Sequence, residues 1–271
     1  MTPRSNRTMT RLITRLAQVS AQSALLAAAV LLPQAVSANT GVALQHFTAN
    51  SGNLPSAQRG ARNFMAYCSG CHSLKYLRYE RMGADLNIPP DVLKKNLMFT
   101  SDKLGDQIKI AMPAASVDWF GRVPPDLSLE TRARGADWVY TYLQSFYLDD
   151  SRPLGVNNTV LPGASMPHVL WELQGWQKKA EHAAEGAKEG EHGAEHGGGH
   201  HEGSPFEPVS KGTLTPAEYQ AFVGDLVNFL DYASEPGKQA RISTGLKVML
   251  YLFVLLGLTY LLKKEFWRDI H

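Results

Sequence analysis

The chain is poor in cysteine. Its 271 residues hold two, both within Ala66–Lys75, "AYCSGCHSLK". Cysteines three positions apart close only a very small loop, which adds little to stability, so a structural disulfide is not their purpose. A zinc site would need two further ligands at ordered spacing, and no second cysteine-containing half exists. An excess of either charge is also lacking: 27 Lys and Arg stand against 25 Asp and Glu. With no basic patch or stripe, nucleic acid is not an expected partner. No segment sustains period-two alternation, so no extended half-buried strand is expected.

What is present is strongly patterned at the two ends. Arg4, Arg7, Arg11 and Arg15 form a positive segment without an acidic residue. Behind it, Ala24–Leu32 is apolar but too short to span a bilayer, and Val36–Ala38 ends on small residues. Residues 1–38 therefore read as a secretory signal cleaved after Ala38. Its loss leaves 23 basic residues against 25 acidic ones. At the other end Val248–Leu262 is an uncharged apolar run, preceded by Lys247 and followed by Lys263, Lys264 and Arg268. Phe266 and Trp267 suit a membrane interface. Residues 241–262 are expected to form a transmembrane anchor. Residues 39–240 would then lie outside the inner membrane, and 263–271 would form a cytoplasmic tail.

Between the ends the periodicity is helical. Ser56 is a candidate cap for a helix through Cys68, with Gly60 inside it as a point of close helix approach. A second helix is expected from Ser128 to about Tyr147, since Trp138, Val139, Tyr142, Leu143, Phe146 and Tyr147 recur in pairs every four residues. "TPAEYQAFVGDLVNFLDYASEP" opens on Thr215, with Pro216 first in the helix and Glu218 three after the cap. Pro236 stops it. Residues 178–203 are low in complexity and hold five of the nine histidines. They have almost nothing to bury and read as a loosely ordered insertion.

The decisive motif is C-x-x-C-H, Cys68, Cys71 and His72. It is the attachment pattern of a covalent haem c: each thiol adds to one vinyl group, and the histidine falls beneath the iron. A thioredoxin-like dithiol would be expected near a βαβ pattern, which is missing. For the sixth iron position the sequence offers Met166 in "GASMPHV" and Met112 in "IAMPAAS", with His46 and His168 as rivals. Met166 lies in a long irregular loop before the closing helix, which favours it over Met112.

Several separated motifs, taken together, resemble the cytochrome c1 family in its bacterial form, the haem c subunits of cytochrome bc1 complexes. They are "RGARNFMAYCSGCHSLKYLRY", "PPDLSLETRARG", "GASMPH" and "VNFLDYASEPGKQARISTGLKVMLYL". The resemblance implies a mostly α fold, a class I cytochrome c-like haem domain with long loops plus one C-terminal transmembrane helix. It implies one haem c on Cys68, Cys71 and His72, with Met166 as distal ligand and Arg134 beside a propionate. It also implies a cytochrome b subunit, a Rieske iron–sulfur protein as donor, a cytochrome c as acceptor, and a haem domain in the periplasm of a bacterium. Residues 128–147 are expected to supply one wall of the haem pocket. The insertion 178–203 departs from the family pattern. The alternative is a free-standing membrane-anchored cytochrome c shuttle, which would have no need of the "PPDLS" and "RAR" segments.

Overall fold

The computed structural model describes residues 42–110, 112–180 and 205–268. The expected signal, most of the insertion and the last three residues lie outside them. In chain order the elements are α1 (Leu54–Tyr67), β1 (Leu74–Arg78), α2 (Tyr79–Asp85), α3 (Pro90–Asn96), β2 (Gln107–Ile108), α4 (Ser116–Phe120), α5 (Glu130–Arg134) and α6 (Ala136–Gln144). There follow β3 (Phe146–Leu148), β4 (Val156–Asn158), α7 (Trp171–Gln174), β5 (Gln177–Lys179), β6 (Phe206–Pro208), α8 (Pro216–Ser234) and α9 (Lys238–Phe266). The mostly α expectation holds, with one C-terminal apolar helix. The strands make three antiparallel two-stranded ribbons, β1–β2, β3–β4 and β5–β6.

The centre of the domain is α1 against α8. A Cβ added to Gly60 would lie 2.0 Å from the Asp225 carbonyl oxygen and 2.6 Å from the Phe229 Cβ, so only glycine admits this approach. Phe64 packs on Phe229 with ring centroids 5.6 Å apart. Ala57, Ala61, Phe64, Val223 and Phe229 are fully buried there. A polar seam runs beside the apolar one. Arg59 donates twice to Asp225, at 2.6 and 2.8 Å, and the Ser56 hydroxyl donates to the same carboxylate at 2.6 Å. The cap of α1 is therefore Asn53, whose side chain accepts from the Ser56 N–H, and not Ser56 itself. Ser56 is held by a partner in the distant helix.

At α8 the capping box forms as expected: Thr215 accepts from the Glu218 N–H, and the Glu218 carboxylate accepts from the Thr215 N–H. The single helix expected over 128–147 is instead two short helices and a strand. Gly135 at φ 91° interrupts it, and Thr131 of α5 donates to the Leu230 carbonyl of α8. Beyond α6 the chain turns into β3, where the Tyr142 carbonyl at the helix end accepts both from the Ser145 N–H and from the side-chain amide of Asn158 in β4. Lys178 and Lys179, expected at the start of the insertion, pair in the ribbon with Glu207 and Phe206.

The anchor helix α9 has 29 residues and no buried position, and its most apolar stretch of 18 residues has a mean hydropathy of 2.0. At about 1.5 Å per residue it runs ~44 Å, longer than a hydrocarbon core of about 30 Å. It starts three residues before the expected boundary, so its first turns carry Lys238 and Arg241.

Candidate haem site

The chain leaves α1 directly into the C-x-x-C-H turn. Cys68 caps the helix through its N–H on the Phe64 carbonyl, and the N–H groups of Cys71 and His72 both donate to the Cys68 carbonyl, at 3.0 and 2.8 Å. This compact turn presents both thiols and the imidazole to one cavity. Burial, and then the neighbouring Cys71, push the Cys68 thiol up to about 12. A reactive dithiol needs the opposite shift, toward thiolate.

His72 is buried, and its Nδ1 lies 2.7 Å from the Pro125 carbonyl oxygen. A carbonyl can only accept, so Nδ1 carries the proton and Nε2 keeps its lone pair. Such a bond orients a metal-ligating histidine and fixes its tautomer. Burial pulls the imidazole below its ordinary value, against the pull of the Pro125 carbonyl, which keeps the ring neutral. The "PPDLS" segment is the rail for this histidine. Leu127 N–H donates to the Ser73 carbonyl, Asp126 accepts from the Lys75 N–H at 2.8 Å, and the Ser128 hydroxyl accepts from the Tyr76 N–H at 3.2 Å.

The cavity encloses about 1210 Å³ including its mouth, and its walls are predominantly apolar. Cys68, Cys71, His72, Met166 and Arg134 all line it. Arg134 lies over the Trp138 ring, 4.3 Å from the centroid, and is paired with Glu130, which also faces the cavity. Trp138 stacks on Tyr142 at 4.9 Å, and the Tyr142 hydroxyl donates to the Met166 sulfur at 3.5 Å. Burial pushes that phenol well above its usual range and keeps it a donor. Arg134, Trp138 and Tyr142, four residues apart, thus share one wall despite the break at Gly135.

The rivals of Met166 lie elsewhere. Met112 does not line the cavity. His46 is exposed and bonds to Asp137 and Thr48. His168 is buried between Phe146 and Trp176, stacked on the former at 5.1 Å, and burial lowers it to about 4. Tyr142, Trp138 and Glu130 line the cavity within 128–147, the stretch expected to wall the haem pocket, though none was singled out there as a site residue; Arg122 lines it from outside that stretch. The signal within the stretch was the four-residue spacing, which serves core and cavity wall alike. Among the described residues no group of three or more His, Cys, Asp or Glu gathers as a metal site.

Two thiols, a neutral imidazole with a free Nε2 and a thioether in one apolar cleft form a donor set that fits a covalent haem. The profile of the Cytochrome C1 family matches residues 46–175 and 208–270. The chain belongs to the cytochrome c1 family. The match skips the segment that contains the insertion. Cytochrome c1 of Allochromatium vinosum is 48% identical over 223 residues, 80% of this chain and 85% of that one. The ammonia monooxygenase gamma subunit of Nitrosomonas europaea is 42% identical over 246 residues, 90% of this chain and 96% of that one. Cytochrome c1 of Rhodospirillum rubrum is 32% identical over 80% of this chain and 82% of that one. Cytochrome c1 proteins are membrane-anchored electron carriers with a covalently bound haem c, and this chain has the cavity and the apolar C-terminal helix for both.

Proposed function

We propose that the chain is the haem c subunit of a quinol–cytochrome c oxidoreductase of the bc1 type. It takes single electrons from a Rieske iron–sulfur protein and passes them to a cytochrome c, beside a cytochrome b subunit in the inner membrane. The haem domain faces the periplasm and the tail the cytoplasm. Cys68 and Cys71 hold the haem covalently, His72 and Met166 ligate the iron, and Arg134 stands near a propionate. Bound there, the haem supplies a one-electron couple whose potential His/Met ligation raises.

The observation that carries this reading is the convergence of Met166 with the C-x-x-C-H turn in one apolar cavity. The chain's own residues give that site its shape. Pro125 fixes the His72 tautomer, Tyr142 meets the Met166 sulfur, and aromatic and aliphatic side chains form the walls. Arg134 arrives already paired with Glu130, so part of its charge is offset before any propionate meets it.

The name of the Nitrosomonas relative offers a second reading, a subunit of an ammonia-oxidising monooxygenase. Oxygen activation on this chain needs an open iron position, and the thioether of Met166 in the cavity favours electron transfer. Mild detergent extraction of native membranes and purification through this subunit test the proposal. Haem b co-purifying with quinol-dependent reduction of added cytochrome c is the expected result. Haem c alone, without quinol activity, would refute it and favour a free-standing anchored shuttle.

A further inference from the structure

The link between α8 and the anchor α9 is three residues, Glu235-Pro236-Gly237. A glycine with open space around it would make this a swivel. Side chains bridge it instead. Lys238 of the anchor donates to Asp231 of α8 at 2.8 Å. Arg241, one turn further along the anchor, donates twice to the Glu235 carboxylate, at 2.5 and 3.1 Å. The same carboxylate has Arg132 of α5 at 3.7 Å. On another side, Gly52 of the lead-in abuts the anchor so closely that an added Cβ would lie 2.9 Å from the Gln239 side-chain nitrogen.

Glu235 thus touches the anchor through Arg241 and the cavity wall through Arg132, since α5 also carries Arg134. We infer that Glu235 is a positioning residue: it clamps the haem domain to its anchor at one attitude, so that the haem cavity keeps a fixed tilt and height above the membrane. The cavity-lining Leu230 is only five residues before Glu235 on the same chain, so a swing at Gly237 would carry the whole cavity with it. Electron transfer between fixed and moving partners depends steeply on separation, and a clamped domain removes one source of variation. The inference rests on α9 spanning the membrane and on a haem held by Cys68, Cys71 and His72, but not on the identity of the redox partners.

The test is electron paramagnetic resonance of the ferric haem in oriented native membranes, with the full-length chain. The parent should show signals that depend sharply on the angle between membrane and field. Glu235→Ala should weaken that dependence, with Lys238 still on Asp231, while the optical spectrum and midpoint potential stay at parental values. Glu235→Asp, which keeps a carboxylate between Arg132 and Arg241, should retain it. Undiminished angular dependence in Glu235→Ala, or a shifted potential in its place, would overturn the inference. Should Glu235→Ala fail to accumulate, Arg241→Gln removes the same contact from the exposed side and is read in the same way. Failure of the functional reading shows separately, as an absence of quinol-dependent reduction in the parent.

Discussion

Replacing Tyr142 with Phe deletes one hydroxyl and leaves the ring that stacks on Trp138 and meets Phe146 edge-on. The lost contact is a hydrogen bond to the Met166 sulfur at 3.5 Å. With Met166 as the proposed iron ligand, a donor at that sulfur draws electron density from its lone pairs, which weakens its support of ferric iron more than of ferrous iron. Removing it favours the ferric state, so the midpoint potential should fall. The net worth of a neutral hydrogen bond is about 0.5–1.5 kcal/mol. A one-electron couple shifts by about 59 mV for each 1.4 kcal/mol, so the fall should be roughly 20–60 mV. The phenol is held protonated by burial, so its ionisation does not contribute near neutral pH. The assay is a redox titration of the purified haem chain, with the far-red sulfur-to-ferric charge-transfer band recorded at each point. Retention of that band with a lowered potential is the expected outcome. An unchanged or raised potential with the band retained would refute the reasoning, and loss of the band would mean that the hydroxyl holds Met166 in place rather than tuning it.

Met166→Leu should let the ferrous haem bind carbon monoxide, and Met112→Leu should not; the reverse pattern would assign the ligand to Met112. Gly60→Ala should destabilise the domain by at least about 1–3 kcal/mol, since its Cβ would overlap the Asp225 backbone, as a thermal melt would show. His168, lowered to about 4 by burial, stays neutral when folded while the unfolded chain protonates near 6.5. The unfolded state then binds the extra proton between these values, so stability should rise with pH from 4 to 6.5, by up to about 3 kcal/mol from this group. Denaturant titrations across that range should show a flatter profile for His168→Phe, which keeps the stacked aromatic column.

What the sequence made legible was local chemistry. The capping box at Thr215 and Glu218 and the proline at 216 depend on neighbours within four residues, and they form as read. Gly60 was legible because a glycine inside an amphipathic helix has few other uses. Ser56 was misread as a cap because Asn53 and Ser56 are both good cap residues. The choice is made by Asp225, 169 residues away, which takes the serine hydroxyl. The break at Gly135 was hidden by the same four-residue spacing that suggested a helix. Arg134, Trp138 and Tyr142 stay on one wall although the backbone leaves the helical region between the first two. The ribbons escaped because strands of two to five residues are too short to show alternation. At the site, the C-x-x-C-H turn was readable from three residues, whereas the Tyr142–Met166 bond exists only because a distant loop returns over the wall of α6.

The "PPDLS" and "RAR" segments take on a different meaning once folded. Read as sequence, they separated a subunit of a larger complex from a free-standing anchored cytochrome, since the latter had no evident need of them. In the structure "PPDLS" holds His72: the Pro125 carbonyl accepts from its Nδ1, while Asp126 and Ser128 pin the strand that follows it. The second Arg of "RAR" stands on the cavity wall over Trp138, and the first reaches toward Glu235 at the anchor. Any cytochrome built on this cavity needs the former set, whatever its partners. The need for Arg132 is different in kind, because its contact fixes the domain against the membrane and contributes nothing to binding the haem. A tethered shuttle that must swing between donor and acceptor is hindered by such a contact, while a subunit whose partners come to it gains a constant geometry. The weight of the distinction therefore moves from the motif that surrounds the haem to the three charged residues, Arg132, Glu235 and Arg241, that join the haem domain to its anchor.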